Sequence, residues 1–178
     1  MIKIPTIFKR DYKTFKVIDK INPECQWVFD NEGIAYRKWQ GMAAMIKDST
    51  YYKRAIFKDK HNFPDSFILT FSDYKANKFY GWLPVDFSSK EDKYYIEAYD
   101  QRLPNGTYEL IGPKIHRNKD KVPNHILMSH KAYKVSKFNI SYIYIKKMLH
   151  AFQFEGIVFH NPDGRMAKIK LKDFGLYR

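Results

Sequence analysis

A succession of short extended segments constrains the fold of this chain more than any other sequence feature. Segments rich in β-branched and aromatic residues are bounded by Gly, Pro, Asn or Asp, which is typical of strands. The pattern becomes strand-like at Ile34, and no regular helical crossovers separate the segments, which favours antiparallel pairing. The predicted fold class is therefore α+β with mostly antiparallel sheets. The predicted strands after Ile34 cover residues 42–47, 51–58, 66–71, 79–85, 94–99, 107–111, 125–128, 154–160 and 165–171.

Two hairpins and one helix are predicted most clearly. Asp48-Ser49-Thr50 joins the first two strands, and Asn161-Pro162-Asp163-Gly164 joins the last two. The helix is predicted to begin at an Asn139 N-cap. Its apolar positions recur at three- and four-residue spacings: Ile140, Ile143, Tyr144, Met148 and Phe152.

Length and composition favour one globular domain over residues 1–178. The chain has 178 residues, 44% of them hydrophobic and 17% aromatic, which excludes a disordered chain. No apolar segment is long enough to span a membrane. Charged residues interrupt the N-terminal apolar positions, whereas a signal peptide needs an uncharged apolar core there. We therefore expect a cytoplasmic protein with no membrane partner.

The charge predicts a polyanionic partner. The formal net charge is +13, and tyrosines stand among the cations, as in Tyr51-Tyr52-Lys53-Arg54. Rings stack on unpaired bases while cations follow the phosphate backbone, so this mixture suits single-stranded nucleic acid. A solvated Lys- and Tyr-rich surface without a ligand is the alternative interpretation of each cluster.

The common nucleotide-binding loops are absent from the sequence. It contains neither Gly-x-x-x-x-Gly-Lys nor Gly-x-Gly-x-x-Gly. The single cysteine, Cys25, excludes an internal disulfide and a cysteine cluster for zinc.

The last hairpin carries the strongest chemical pattern. Lys168 and Lys170 alternate along one strand and therefore share a face, and the pairing predicts that Glu155 lies near them. A carboxylate and two ammonium groups on one sheet suit a hydrated metal ion and a phosphate. An exposed ladder of ion pairs is the alternative.

Four motifs in a fixed order connect this hairpin to the rest of the chain. They are Lys38-Trp-Gln-Gly41, Tyr108-Glu-Leu-Ile-Gly112, Glu155-Gly-Ile-Val-Phe159 and Lys168-Ile-Lys170. In this order they resemble the covalent nucleotidyltransferase superfamily of ATP-dependent ligases and capping enzymes. When the segment His125-Ile-Leu-Met-Ser-His130 is included, the sequence is most similar to the small RNA ligase family that includes the vertebrate 5′-to-3′ RNA ligase. The similarity extends over residues from about 30 to 176.

The resemblance implies a nucleotide-binding cleft between antiparallel sheets, with ATP and Mg²⁺ or Mn²⁺ as cofactors. It further implies an RNA partner with 5′-phosphate and 3′-hydroxyl ends and no obligate protein partner. Lys38 matches the nucleophile that forms lysyl-AMP. The other matches are Arg54 on ribose and phosphate, Glu109 on ribose, Glu155 near the metal, Lys168 on the α-phosphate, Lys170 more loosely, and Tyr133 stacked on adenine.

One position departs from the family pattern, since Gln40 stands where an aspartate is usual. An amide adds no negative charge near a metal, so metal dependence or the adenylylation rate is expected to differ. The cations expected to lower the pKa of the Lys38 amine are Arg37, Arg54, Lys168 and Lys170. A DNA ligase, a capping-type enzyme and a non-catalytic basic RNA-binding module remain as alternatives.

Overall fold

The chain forms two compact units. The structure, a computed structural model, describes residues 4–136 and 139–178. Unit 1 comprises Gln40–Ser129, and unit 2 comprises Ile4–Trp39 together with His130–Arg178. The expectation of one globular domain over residues 1–178 stays a prediction.

The described residues form eleven strands and three α-helices. In chain order these are β1 (Phe8–Arg10), β2 (Val17–Ile21), α1 (Gln26–Phe29), β3 (Ile34–Lys38), β4 (Met42–Lys47), β5 (Thr50–Phe57), β6 (Ile68–Asp73), β7 (Lys78–Pro84), α2 (Lys93–Ala98), β8 (Gly106–Ile111), β9 (Ile126–Ser129), α3 (Tyr142–Ala151), β10 (Gly156–His160) and β11 (Met166–Lys170). Among these described residues, none of the helices has both the length and the apolar character to cross a membrane.

Unit 2 is built on a three-stranded antiparallel sheet with the order β11-β10-β3. A separate hairpin pairs β1 with β2. Helix α3 contributes Ile145, Met148 and Leu149 to the core that covers one face of the sheet, as their helical spacing requires. The apolar sheet residues of this core include Ile157, Phe159, Ala167 and Ile169.

Unit 1 is built on a six-stranded antiparallel sheet with the order β6-β7-β5-β4-β8-β9. Helix α2 supplies Tyr95 and Ala98 to a core that includes Ala44, Tyr108 and Leu110. These three side chains project from one face of the sheet, because β4 and β8 pair with Ala44 opposite Tyr108.

The structure confirms the α+β class with mostly antiparallel sheets, and it confirms both predicted hairpins. The predicted strand over residues 94–99 is wrong, because this segment forms α2. Tyrosines and isoleucine favour strands locally, but burial of Tyr95 and Ala98 at a three-residue spacing selects a helix.

Two further differences concern the N-terminal third and the last helix. The hairpin of β1 and β2 was not predicted, because Phe8 and Val17 are the only buried positions in these two strands. Helix α3 is capped by Ser141, whose hydroxyl accepts a hydrogen bond from the Tyr144 amide, so Asn139 is not the N-cap.

Candidate active site

One face of the three-stranded sheet in unit 2 carries a group of lysines. In the sheet register, Gly156 of β10 lies opposite Lys38 of β3 on one side and Lys170 of β11 on the other. Directly paired residues project from the same face of a sheet. We call this side the lysine face and define it by Tyr36, Lys38, Gly156, Val158, Lys168 and Lys170.

Lys38 is held by an ion pair on the lysine face. Its Nζ donates hydrogen bonds to Glu155 Oε2 at 2.7 Å and to the Trp39 carbonyl oxygen at 3.1 Å. The side chains of Lys38 and Glu155 are 24% and 19% exposed, so the pair is largely shielded from bulk water. The shielding strengthens the attraction relative to an exposed surface pair and fixes the position of the amine.

Glu155 reaches the lysines in a way that strict alternation did not predict. Within a regular strand it would share a face with the buried Ile157. It instead lies one residue before β10 begins, where its carbonyl oxygen accepts a hydrogen bond from the Leu171 amide at 2.8 Å. The expected proximity of carboxylate and ammonium groups is therefore present, but it depends on the end of the strand rather than on its alternation.

The two lysines of β11 have lowered pKa values. Burial, followed by the nearby Lys38 ammonium, lowers the pKa of Lys168. Burial also lowers the pKa of Lys170 to about 8, with Lys172 and Lys168 acting in the same direction. The lysine face is thus a crowded cationic site that would gain from binding an anion.

Asp173 stabilises the backbone at the end of β11. It was not identified as a site residue from the sequence. Its buried carboxylate accepts the Lys170 backbone N–H at 2.9 Å and an Arg10 guanidinium N–H at 2.8 Å. An acidic residue three positions after an N-cap is a known capping pattern, and Asp173 stands three positions after the N-cap Lys170, so spacing was the available signal.

Two predicted site residues, Arg37 and Tyr133, lie beside the ring of Phe154. The Arg37 guanidinium lies 3.8 Å from the ring centre of Trp39 and 4.4 Å from that of Phe154. Arg37 pairs with Ile157, on the side of the sheet opposite Lys38, so it does not join the lysine face as expected. The half-exposed Tyr133 ring packs edge-on to Phe154 at 5.9 Å, and its adenine-stacking role stays a prediction.

The remaining predicted site residues, Glu109 and Arg54, belong to unit 1. The buried Glu109 accepts a hydrogen bond at 3.0 Å from the backbone N–H of Gly41, the glycine of the Lys-x-x-Gly motif. A Cβ atom at Gly41 would collide with the Leu110 carbonyl oxygen, so only glycine permits this approach. Arg54 is exposed on the same side of the sheet as Glu109, with its guanidinium 5.2 Å from the Tyr80 ring centre.

Gln40, which stands where the resemblance would imply an aspartate, lies against a carboxylate. Its backbone N–H donates to Asp120 Oδ2 at 2.9 Å. The loop that carries Asp120 has positive φ angles at four non-glycine residues, namely His116, Arg117, Asn118 and Lys121. Such strained backbone costs about 1 kcal/mol or more per residue and is concentrated at functional sites. No sequence pattern predicted this contact.

The donor set fits magnesium better than a metal that needs a complete protein cage. The described residues contain no group of three or more His, Cys, Asp or Glu side chains able to hold a metal ion. Mg²⁺ usually keeps several waters and binds one or two carboxylates together with substrate phosphates. Glu155, beside the phosphate-attracting Lys168 and Lys170, is suited to that role.

No protein-family model matches the sequence, and no curated protein matches it either. Function is therefore inferred from the motifs and from the side chains that the fold brings together.

Proposed function

We propose that the chain is an ATP-dependent RNA ligase that joins 5′-phosphate and 3′-hydroxyl ends through a lysyl-AMP intermediate on Lys38. The observation that carries the proposal is the shielded Lys38–Glu155 ion pair on a face shared with Lys168 and Lys170. It unites a nucleophilic amine, one carboxylate for a divalent cation and two cations for phosphates.

The reaction has three phosphoryl-transfer steps. Lys38 Nζ first bonds to the α-phosphorus of ATP while the bond from that phosphorus to the bridging oxygen breaks, releasing pyrophosphate. The RNA 5′-phosphate then displaces the lysine and takes up AMP. The RNA 3′-hydroxyl finally attacks the 5′-phosphorus, loses its proton, and AMP leaves.

The chain's own residues position and stabilise the first of these steps. A free lysine amine, with a pKa of about 10.4, is protonated at neutral pH and must lose a proton before it attacks. The Glu155 carboxylate, 2.7 Å from Nζ, aims the amine and is placed to accept that proton. Lys168 and Lys170 offset the negative charge of the transferring phosphate, which is where such reactions gain most of their rate. A bound Mg²⁺ would add charge neutralisation at Glu155.

The resemblance further assigns two residues of unit 1 to the nucleotide, Glu109 to the ribose and Arg54 to the ribose and phosphate. In support of this assignment, Glu109 is already held by the glycine of the nucleophile motif. The exposed Arg54 guanidinium is available for an anion.

Transfer of label from α-labelled ATP to the protein tests the proposal. The purified chain with ATP and Mg²⁺ should gain the mass of one AMP, and Lys38→Arg should gain none. Lys134→Arg, an exposed lysine of the same unit, is the matched control and should label normally. Wild-type labelling of Lys38→Arg, or a folded wild-type chain that takes no label, would contradict the proposal.

Two additional arms separate the related activities. A capping-type enzyme would label from GTP in preference to ATP, and a DNA ligase would seal DNA ends better than RNA ends. A non-catalytic RNA-binding module, which Gln40 in place of an aspartate favours, would bind RNA without any mass gain.

A further inference from the structure

A second surface lies on the six-stranded sheet of unit 1, where β5, β7 and β6 are neighbours. Two adjacent register rows project from the same side of these strands. In one row, Arg54 of β5 pairs with Trp82 of β7, which pairs with Ile68 of β6. In the next row, Ile56 of β5 pairs with Tyr80 of β7, which pairs with Phe71 of β6. We call this side the aromatic face and define it by these six residues.

The aromatic face is open around Ile56 and Ile68, whereas its Trp82 is buried; the opposite side is packed around Phe79, with Leu69 exposed on the edge strand β6. On the opposite side, the rings of Phe57, Phe63, Phe67 and Phe79 form a cluster with centre-to-centre distances between 4.7 and 5.5 Å. On the aromatic face, Ile56 is 50% exposed and Ile68 is 45% exposed. Aliphatic side chains this exposed beside partly exposed rings on one side of a sheet are typical of a contact surface.

The rings on this face are arranged so that a flat ligand has two neighbours to stack on. Tyr80 and Phe71 lie 5.9 Å apart with an angle of 31° between their planes. Both are only partly buried, and the Arg54 guanidinium lies 5.2 Å from the Tyr80 ring centre. Aromatic side chains on an open sheet, with a cation alongside, are the arrangement on which unpaired bases stack.

The charge around the rings favours a polyanion over a protein partner. By strand alternation, the exposed Lys47 of β4 and Lys78 of β7 project from the same side as Arg54. Asp73 lies opposite Lys78 and offsets it, and the buried Glu109 of β8 offsets a further cation, so the strand residues of this side keep one positive charge in excess. The chain as a whole carries a net charge of +13. Phosphates are therefore drawn to this side, and the rings give the bases a place to bind.

We propose that the aromatic face binds single-stranded RNA, with bases stacked on Tyr80 and Phe71 and the backbone following Lys47. The assignment of this RNA as the strand to be sealed rests on the proposed function. The binding itself does not, because the Tyr80 and Phe71 rings take no part in the transfer of AMP to Lys38. Duplex RNA should bind more weakly, since its bases already stack on each other.

Fluorescence anisotropy with a short unstructured RNA tests the surface directly. The double variant Phe71→Leu/Tyr80→Leu keeps apolar side chains but removes both rings, and it should bind the RNA about 10-fold or more weakly. Its AMP labelling and thermal unfolding should match the wild type. Phe87→Leu is the control, because it removes another exposed ring of unit 1 that lies outside the aromatic face.

Each alternative gives a distinct result. Unchanged RNA affinity in the double variant, an equal loss in Phe87→Leu, or equal affinity for duplex RNA would overturn the proposal. Tighter binding of DNA than of RNA with the same sequence would overturn the choice of RNA. A dimer in light scattering that the double variant dissolves, with RNA affinity unchanged, would assign the face to a second copy of the chain. If wild-type labelling failed while ring-dependent RNA binding persisted, only the proposed ligase function would be lost.

Discussion

The lysine face belongs to the antiparallel sheet of unit 2, and the aromatic face belongs to the antiparallel sheet of unit 1. Side chains alternate between the two sides of both sheets in the same way, but the two faces carry different kinds of side chain. Each sheet packs its other side against apolar residues, which include Ile157 and Ile169 in unit 2 and Phe57 and Phe79 in unit 1. What differs is the outward residue set, ammonium and carboxylate groups in one case and rings with aliphatic groups in the other. The buried apolar positions of the strands stabilise each sheet, whereas the alternating positions on the other side determine the chemistry of its face.

The two faces also differ in how tightly their polar groups are held. Lys38 is fixed by two hydrogen bonds, and β11 is braced by Asp173. On the aromatic face, Ile56 and Arg54 are exposed to solvent. Bond-making requires atoms held within fractions of an ångström, whereas base stacking requires area and tolerates movement.

Replacing Glu155 should produce the largest difference between the two faces, because it should affect AMP labelling and not RNA affinity. Glu155→Gln removes the charge that holds the Lys38 amine and suits a metal, so AMP labelling should fall by about 100-fold. Affinity for single-stranded RNA should change by less than about twofold, because Glu155 is not part of the aromatic face. Glu32→Gln, an exposed carboxylate of the same unit, serves as the control and should label normally. Equal loss of labelling in both variants would mean that Glu155 has no special part.

The centre of the lysine face should resist substitution where the aromatic face does not. A Cβ atom at Gly156 would collide with the Ile169 carbonyl oxygen on the neighbouring strand. Gly156→Ala should therefore lower the free energy of unfolding by about 2 kcal/mol in a urea titration. Ile56→Ala, at a half-exposed position, should change it by only about 0.5 kcal/mol. Similar values for the two variants would remove the contrast in rigidity.

A pH titration should change ligand affinity at the lysine face and leave ligand affinity at the aromatic face almost unchanged. Because the pKa of Lys170 is lowered to about 8, its ammonium loses its proton as the pH rises through that value. ATP affinity, measured by calorimetry in the non-labelling Lys38→Arg background, should fall several-fold, by about 1 kcal/mol at most, between pH 7 and 9. RNA binding to the aromatic face should change little over this range.

The same titration carries its own check. Stability should rise as the pH passes from 8 towards the ordinary lysine pKa, since the unfolded chain then binds more protons than the folded chain. Lys172→Met removes a neighbouring ammonium that lowers the pKa of Lys170, so the midpoint should move upward. A midpoint that stays in place would show that Lys172 does not act on Lys170.

The sequence predicted those parts of the fold whose patterns are local. The alternation around Lys168 and the turn at residues 161–164 were sufficient to place β10 and β11. Helix α2 was missed because its burial stripe depends on the core of unit 1, which a local pattern does not contain. The position of Asp120 beside Gln40 was inaccessible for the same reason, because a strained loop brings together residues 80 positions apart.

For the candidate site, order along the chain predicted more than composition did. Three of the four motifs indicated Lys38, Glu155, Lys168 and Lys170, whose side chains the structure brings together in unit 2. The second motif indicated Glu109, which belongs to unit 1. Arg37 shows where a sequence neighbour misleads. It is adjacent to Lys38 along the strand and therefore projects from the opposite side.

The pairing of β3 with β10 also limits how this gene product can change over evolutionary time. Insertion or deletion of one residue within β3 would turn Lys38 inward and bring Arg37 outward. An ammonium forced into an apolar interior without a counter-charge is strongly destabilising. Variants that keep Lys38 on the lysine face must therefore conserve the length of this strand, whereas connections such as the turn at residues 161–164 tolerate changes in chain length.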